Sequence, residues 1–379
     1  MKLIHLSDIH LGKRVNEFSM LEDQAHILKK ILAVVDEEKP DGVLIAGDVY
    51  DKSVPSTEAV QLFDDFLVRL AKRKLPVFII SGNHDSPERL SFANRLIDAA
   101  GIHLAPVYNG VVEPITLNDE YGPVNVYMLP FIKPAHVRGF FPDTEITSYS
   151  DAVAAAIGRM NIDKTQRNVL ITHQFVTGAQ RSDSEELSVG GTDNIGAEVF
   201  CDFDYVALGH IHGPQNMDSG RIRYCGSPLK YSFSEAAQQK SVTVAELKEK
   251  GTLEIHTVPL IPRRDMVELK GSYQKLTLRE SYENTTYQED YTHITLTDEE
   301  DIPDAVAKLR AVYHNLMKLD YDNTRTRHSA AISGAENVET RSPIALFAEF
   351  YELQNGLPMS AEQTELVASL IEKIWEGEE

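Results

Sequence analysis

A chain of 379 residues that is 42% hydrophobic and 25% charged is too long for one core and too apolar for a disordered polymer. One large domain with one or two smaller ones is expected. A formal charge of −21, from 37 basic and 58 acidic residues, excludes a surface that grips polyanions everywhere, so any nucleic-acid contact is local or shared with a partner.

Lys2–Leu6 opens as an apolar strand rather than a signal region, and no stretch reaches the roughly 18 apolar residues of a membrane span. Cys201 and Cys225 are too few for a disulfide framework or a zinc cluster, so they read as structural thiols of a cytoplasmic protein.

In chain order, Lys2–Leu6, Gly42–Ala46 and Pro76–Ile80 read as strands that alternate with helices. The first helix runs from a capping box at Ser19-x-x-Glu22 to about Lys39, and the second from Ser56 to about Arg73. A third starts at Pro87 and ends near Gly101. The pattern then changes to strands separated by turns: Val124–Phe131, Val169–Thr172, Tyr205–Leu208, Arg221–Cys225, Ser241–Leu247 and Leu253–Pro259. One sheet from each half predicts a sandwich, with a helix at Asp151–Met160 and a long polar loop at Gly178–Ile195.

Pro262-Arg263-Arg264 marks a boundary, after which strands near 266–277 and 291–298 and a helix from Pro303 to Leu319 suggest a small α+β module. Past a polar stretch at 320–342 come two amphipathic helices, Ile344–Leu353 and Leu366–Trp375, the latter behind the capping box Ser360-x-x-Gln363.

The chemistry collects at strand ends, where layered α/β sheets bind ligands. The clusters are Ser7-Asp8-Ile9-His10, Gly47-Asp48-Val49-Tyr50-Asp51, Gly82-Asn83-His84-Asp85, Thr172-His173 and Gly209-His210-Ile211-His212. Carboxylate, amide oxygen and imidazole together suit a borderline divalent cation, Mn²⁺ first among them. Asp8, His10, Asp48, Asn83, His173, His210 and His212 are too many ligands for one ion and enough for two, with Asp48 as the bridge. Two ions about 3.5–4 Å apart clamp a phosphodiester, activate water and neutralise transition-state charge. His84, beside a ligand, is placed to give the leaving oxygen its proton, and Asp51 to orient His84.

DxH, GDxxD, GNHD, a later His and GHxH in this order resemble the calcineurin-like metallophosphoesterase superfamily. That resemblance implies Asp8, His10, Asp48 and His212 around one ion, and Asp48, Asn83, His173 and His210 around the other. Leu6–Gly12, Ser81–Ser86, Leu187–Gly191 and Tyr224–Glu235 are similar, within it, to the SbcD family of nuclease subunits.

The resemblance implies an α/β (layered α+β) fold: a metallophosphoesterase β-sandwich flanked by helices over 1–262, an α+β capping domain over 263–335, and C-terminal helices over 336–379. It also implies metal-dependent exonuclease (3′–5′) and endonuclease action on DNA ends and hairpins in repair and recombination. The partners it implies are DNA, an SbcC-type coiled-coil ATPase bound by the C-terminal helices, and a second copy, with Pro87–Ala99 a candidate dimer helix. A nucleotide phosphodiesterase, a phosphoprotein phosphatase or a non-catalytic scaffold are the competing readings, since a metal centre alone does not set its substrate. The remaining histidines, among them His5, are expected to be surface or satisfied core residues.

Overall fold

The structure is a computed structural model that describes residues 1–91, 98–185, 193–326, 343–355 and 357–376. It divides into two compact units, Met1–Met266 and Val267–Glu379.

The first unit is a sandwich of two six-stranded sheets. One sheet carries β1 (Lys2–Leu6), β2 (Gly42–Ala46), β3 (Val77–Ile80) and β4 (Ile102–Ala105) as parallel neighbours. The other carries β5 (Ile115–Asp119), β6 (Gly122–Leu129), β7 (Arg167–His173), β8 (Tyr205–Gly209), β9 (Gln215–Asp218) and β10 (Ile222–Tyr224), in the order β9-β10-β8-β7-β6-β5.

The expectation of one sheet per half needs correction. Strands β11 (Ser241–Leu247) and β12 (Leu253–Pro259) leave the second half and add to the first sheet, β11 pairing antiparallel with β1 from Lys2 opposite Glu246 to His5 opposite Thr243. Local pattern carries no signal for which sheet a strand joins. The short strands β4, β5 and β9, at or next to sheet edges, were not expected either.

Leu3, Leu44, Ala46, Phe78 and Ile80 of the first sheet meet Val126, Val169, Ile171, Tyr205 and Ala207 of the second in an apolar inter-sheet core. The alternate residues Ile4, Val43, Ile45, Val77 and Ile79 are also fully buried, which is why these strands read as continuous apolar runs. Helices α1 (Leu21–Glu38) and α2 (Thr57–Ala71) supply the apolar stripes of that half, among them Ile27, Ile31, Phe63 and Phe66. Ser56 caps α2 through the Ala59 amide at 3.3 Å, as expected. The Ser19 box does not form, because α1 begins after Met20 with no side-chain cap. Helix α3 (Tyr149–Gly158) packs Val153, Ala156 and Ile157 with Leu170 and Val206 of the second sheet.

Arg167 ties the sheets together. Its side chain is 2% exposed, and its guanidinium donates to Asp119 Oδ2 at 3.0 Å, to the Leu247 carbonyl at 3.1 Å and to the Gly122 carbonyl at 2.6 Å. His5 is a core residue, as expected, with ring nitrogens on Tyr205 Oη at 2.8 Å and the Leu208 carbonyl at 3.2 Å.

In the second unit, β13 (Met266–Gly271), β14 (Tyr291–Leu296) and β15 (Asn315–Tyr321) form a sheet in that order, with β14 and β15 parallel. Leu276, Ile294, Leu296, Leu309, Tyr313 and Leu316 form its core. The strand expected over 266–277 stops at Gly271, where Ser272 caps the short helix α4 (Tyr273–Thr277). The helix expected over Pro303–Leu319 is only Ala305–Arg310 (α5), and its second half is β15. Pairing with β14 decides a segment whose apolar spacing fits either period.

Helices α6 (Pro343–Asn355) and α7 (Ala361–Glu376) follow, with the Ser360 and Gln363 capping box closed in both directions at 3.2 and 2.8 Å. Residues 92–97 of the expected third helix, the Leu187–Gly191 motif and the 335/336 boundary lie outside the described residues. Among the described residues no helix is long and apolar enough to cross a membrane.

Candidate metal centre

The carboxyl ends of β1, β2, β3, β7 and β8 converge on one edge of the sandwich and deliver seven of the expected site residues, with His84 next along the chain after Asn83. Asp8, His10, Asp48 and His210 all hold positive φ, at 51°, 47°, 49° and 101°. L-residues adopt such angles at a cost of order 1–3 kcal/mol. Four such residues at one site show that the fold gives up stability to aim these side chains inward. Gly47 and Gly209 allow the crowding, since a Cβ on Gly47 would lie 2.6 Å from His173 Nδ1 and one on Gly209 would run into the Ala46 carbonyl.

All seven expected ligands come together. His10 Nε2 and His212 Nε2 stand 3.0 Å apart, with Asp48 Oδ2 3.7 Å from His10 Nε2. Asn83 Oδ1 lies 3.0 Å from both His173 Nε2 and His210 Nδ1, and His173 Nε2 is 3.2 Å from Asp48 Oδ2. Donor atoms of Asp8, His10 and His212 lie within 4.8 Å of one another, as do those of Asp8, Asp48 and His173, so the two groups adjoin.

This donor set fits cations. Six of the seven side chains are buried, and imidazole nitrogens face each other and an amide oxygen rather than complementary hydrogen-bond partners. His173 Nδ1 faces the Ala46 carbonyl at 2.7 Å, which gives that nitrogen the hydrogen and leaves Nε2 its lone pair.

The charges agree. Burial holds His10 well below the usual histidine range, and burial together with His173 lowers His210 to about 3, so both are neutral donors. Burial works to raise Asp48, but His173, His10 and His84 outweigh it and hold the carboxyl well below the usual range. Burial also opposes protonation of His173, yet Asp48 and Asp8 raise it to about 9, so protons and a divalent cation compete there.

His84 is partly open, its side chain 14% exposed and its Nε2 4.0 Å from Asp48 Oδ2. Its Nδ1 meets the main-chain carbonyl of Asp51 at 3.1 Å. The contact between Asp51 and His84 is thus made by the Asp51 main chain. The Asp51 carboxylate turns instead to Lys13 Nζ at 2.7 Å and lies 3.7 Å from His10 Nδ1.

Two relatives align with the chain from end to end. The SbcD subunit of nuclease SbcCD from Staphylococcus epidermidis is 32% identical over 382 residues, covering 100% of both chains, and that of Staphylococcus saprophyticus is 32% identical over 99% of both. The chain belongs to the SbcD family.

Residues 1–214 of this SbcD-family chain match the calcineurin-like phosphoesterase family, and 262–355 match a domain described as the type 5 capsule protein repressor C-terminal domain. A dimetal phosphatase from Danio rerio aligns with 69% of the SbcD-family chain and 99% of its own, at a TM-score of 0.40 and 13% identity.

Several residues that hold the SbcD-type site were not singled out in the sequence. Asp85 accepts from the amides of Val49, Tyr50 and Gly82 at 3.2, 2.9 and 2.9 Å and so joins the Asp48 and Asn83 loops. Burial and neighbouring Asp48 raise its carboxyl to about 6. Gln24 links the Gly12 amide at 3.0 Å to the His10 carbonyl at 2.7 Å. Tyr231 is buried against the rings of His10 and His212. The one available signal was Asp85 at the end of GNHD.

Proposed function

We propose that this chain is the metal-dependent nuclease subunit of an SbcCD-type complex and hydrolyses DNA phosphodiesters in repair and recombination. The carrying observation is end-to-end similarity to the SbcD subunit of nuclease SbcCD in a chain that brings all seven candidate ligands onto one edge of the sandwich.

Asp8, His10, Asp48 and His212 would hold one divalent ion and Asp48, Asn83, His173 and His210 the other, with Mn²⁺ suited to this mixture of donors. Bound there, the ions supply Lewis acidity and charge neutralisation to the scissile phosphate. The protein supplies the rest. Asp48 draws the two donor groups together, and Asp8, buried beneath them, accepts from the His210 amide at 3.0 Å to fix that loop. His84 gives its Nδ1 hydrogen to the Asp51 carbonyl and carries its second proton on Nε2 towards the leaving oxygen.

Substitution of His84 by Ala is expected to lower turnover about a hundredfold while leaving Mn²⁺ binding intact, measured by single-turnover cleavage and calorimetry. Cleavage near the wild-type rate would remove the acid from this scheme.

The C-terminal helices are the proposed dock for the coiled-coil ATPase. Phe347, Phe350, Leu366 and Leu370 are exposed there, more apolar surface than a lone tail keeps in water. With a net charge of −21, the chain gains DNA affinity from such a partner. A second copy through the nuclease unit and a cytoplasmic setting complete the proposal.

The test is cleavage of free-ended, hairpin and closed-circular DNA with Mn²⁺, with and without the ATPase partner and ATP. Cutting of ends and hairpins, stimulated by the partner, is expected. Hydrolysis of nucleotide esters with all three DNAs left intact would mark a different phosphoesterase.

A further inference from the structure

His212 is held from three sides by residues outside the seven candidate ligands. Its amide donates to Glu185 Oε1 at 2.6 Å, and its carbonyl accepts from Lys240 Nζ at 2.8 Å. Its Nδ1 lies 2.6 Å from Ser184 Oγ. Ser184 is in turn 2.5 Å from Oε1 of Glu235, a fully buried side chain.

Glu235 also accepts from Ser232 Oγ at 2.9 Å and the Tyr231 amide at 3.3 Å, and its Oε2 takes Lys240 Nζ at 2.5 Å. Lys240 is itself 4% exposed and bonded to Ser227 Oγ at 3.0 Å and Gln238 Oε1 at 2.8 Å. A buried carboxylate against a buried ammonium stays ionised, so it only accepts.

These bonds fix the direction of the hydrogens from Glu235 to His212, with Ser182 Oγ a further neighbour of Ser184 Oγ at 3.0 Å. Ser184 has one hydroxyl hydrogen, and Glu235 can only receive it. Ser184 Oγ is then the acceptor towards His212, so the imidazole must carry its hydrogen on Nδ1. Its Nε2 is left with a lone pair, pointed at His10 Nε2 3.0 Å away.

We propose that Ser184 is a positioning residue that, backed by Glu235 and Lys240, locks the His212 tautomer and ring direction for binding a divalent cation. Glu235 acts at one remove, through the serine hydroxyl, since its Oε1 is 3.8 Å from His212 Nδ1. Among the described residues the other donor group shows no such relay. There a main-chain carbonyl, Ala46, holds His173, and no side-chain substitution removes it. Loss of Ser184 therefore acts on one of the two cation positions. This inference rests on the metal-centre reading above.

The experiment uses the full chain with Ser184→Ala and Ser184→Thr. In the metal-free protein, long-range proton–nitrogen NMR is expected to show His212 as the Nδ1–H tautomer, with an Nε2–H population appearing in Ser184→Ala. Calorimetric titration with Mn²⁺ is expected to show one binding event weakened about 10–100-fold in Ser184→Ala. Ser184→Thr, which keeps the hydroxyl, should restore both readouts.

An Nε2–H tautomer in the wild-type protein, or an unchanged isotherm in Ser184→Ala, overturns the relay. If the wild type binds no Mn²⁺ while the tautomer responds as described, the metal-centre reading fails and the relay stands as a hydrogen-bond lock.

Discussion

Substitution of Asp48 by Asn is expected to abolish nuclease activity, by at least about a thousandfold in kcat, or some 4 kcal/mol of transition-state stabilisation. Asp48 faces both donor groups, with Oδ2 3.2 Å from His173 Nε2 and 3.7 Å from His10 Nε2. Asn keeps the shape and one acceptor oxygen for the His84 amide, which now sits 2.9 Å from Oδ1. What it removes is the negative charge that would let two cations approach each other. Folding should survive at reduced stability, because the attraction lost exceeds the desolvation relieved, while His173 can release its proton once the carboxylate is gone. The measurements are cleavage with Mn²⁺, Mn²⁺ stoichiometry by calorimetry, and thermal unfolding. A variant that binds two ions and cuts within tenfold of wild type would show that the bridge lies elsewhere.

Asp119→Ala should instead damage the fold and leave the metal centre chemically intact. It strips the carboxylate from Arg167, whose side chain is 2% exposed, and leaves it carbonyls and the face of Tyr121. A buried cation without its partner costs about 3 kcal/mol, which lowers the melting temperature by roughly 6–12 °C in a unit of this size.

The pH dependence has a definite sign. Arg167 beside Asp119 holds that carboxyl below the usual range. Its contribution is therefore fully present above the unfolded value of about 3.9 and fades as pH falls through the lower folded value. The stability gap between wild type and Asp119→Ala should narrow below about pH 4. A constant gap from neutral to acid pH would mean the residue acts by packing rather than by charge.

The candidate site was more legible than the fold. Its residues sit directly after apolar strands and carry rare side-chain combinations at fixed spacing, so Asp8, His10, Asp48, Asn83, His173, His210 and His212 could be named before their strands were ordered. Topology was less accessible, because the choice of β1 as partner for β11 depends on contacts about 240 residues apart. The segment Asn315–Tyr321 was misread for a related reason, since its apolar spacing serves a helix as well as the strand that pairs with β14. Ser184 and Glu235 were invisible in another way. Serine and glutamate are common, and their meaning comes from burial and a shared hydrogen bond, which no spacing encodes.

The pairing of β1 with β11 also bears on how the protein is made. The strand that leads into Asp8 and His10 is synthesised early, yet it gains its antiparallel neighbour only after residues 241–247 exist. A nascent chain released after His212 would contain all nine candidate site residues and lack the strand that seats the first two of them. The closed sheet around Asp8 and His10 therefore arrives late in translation.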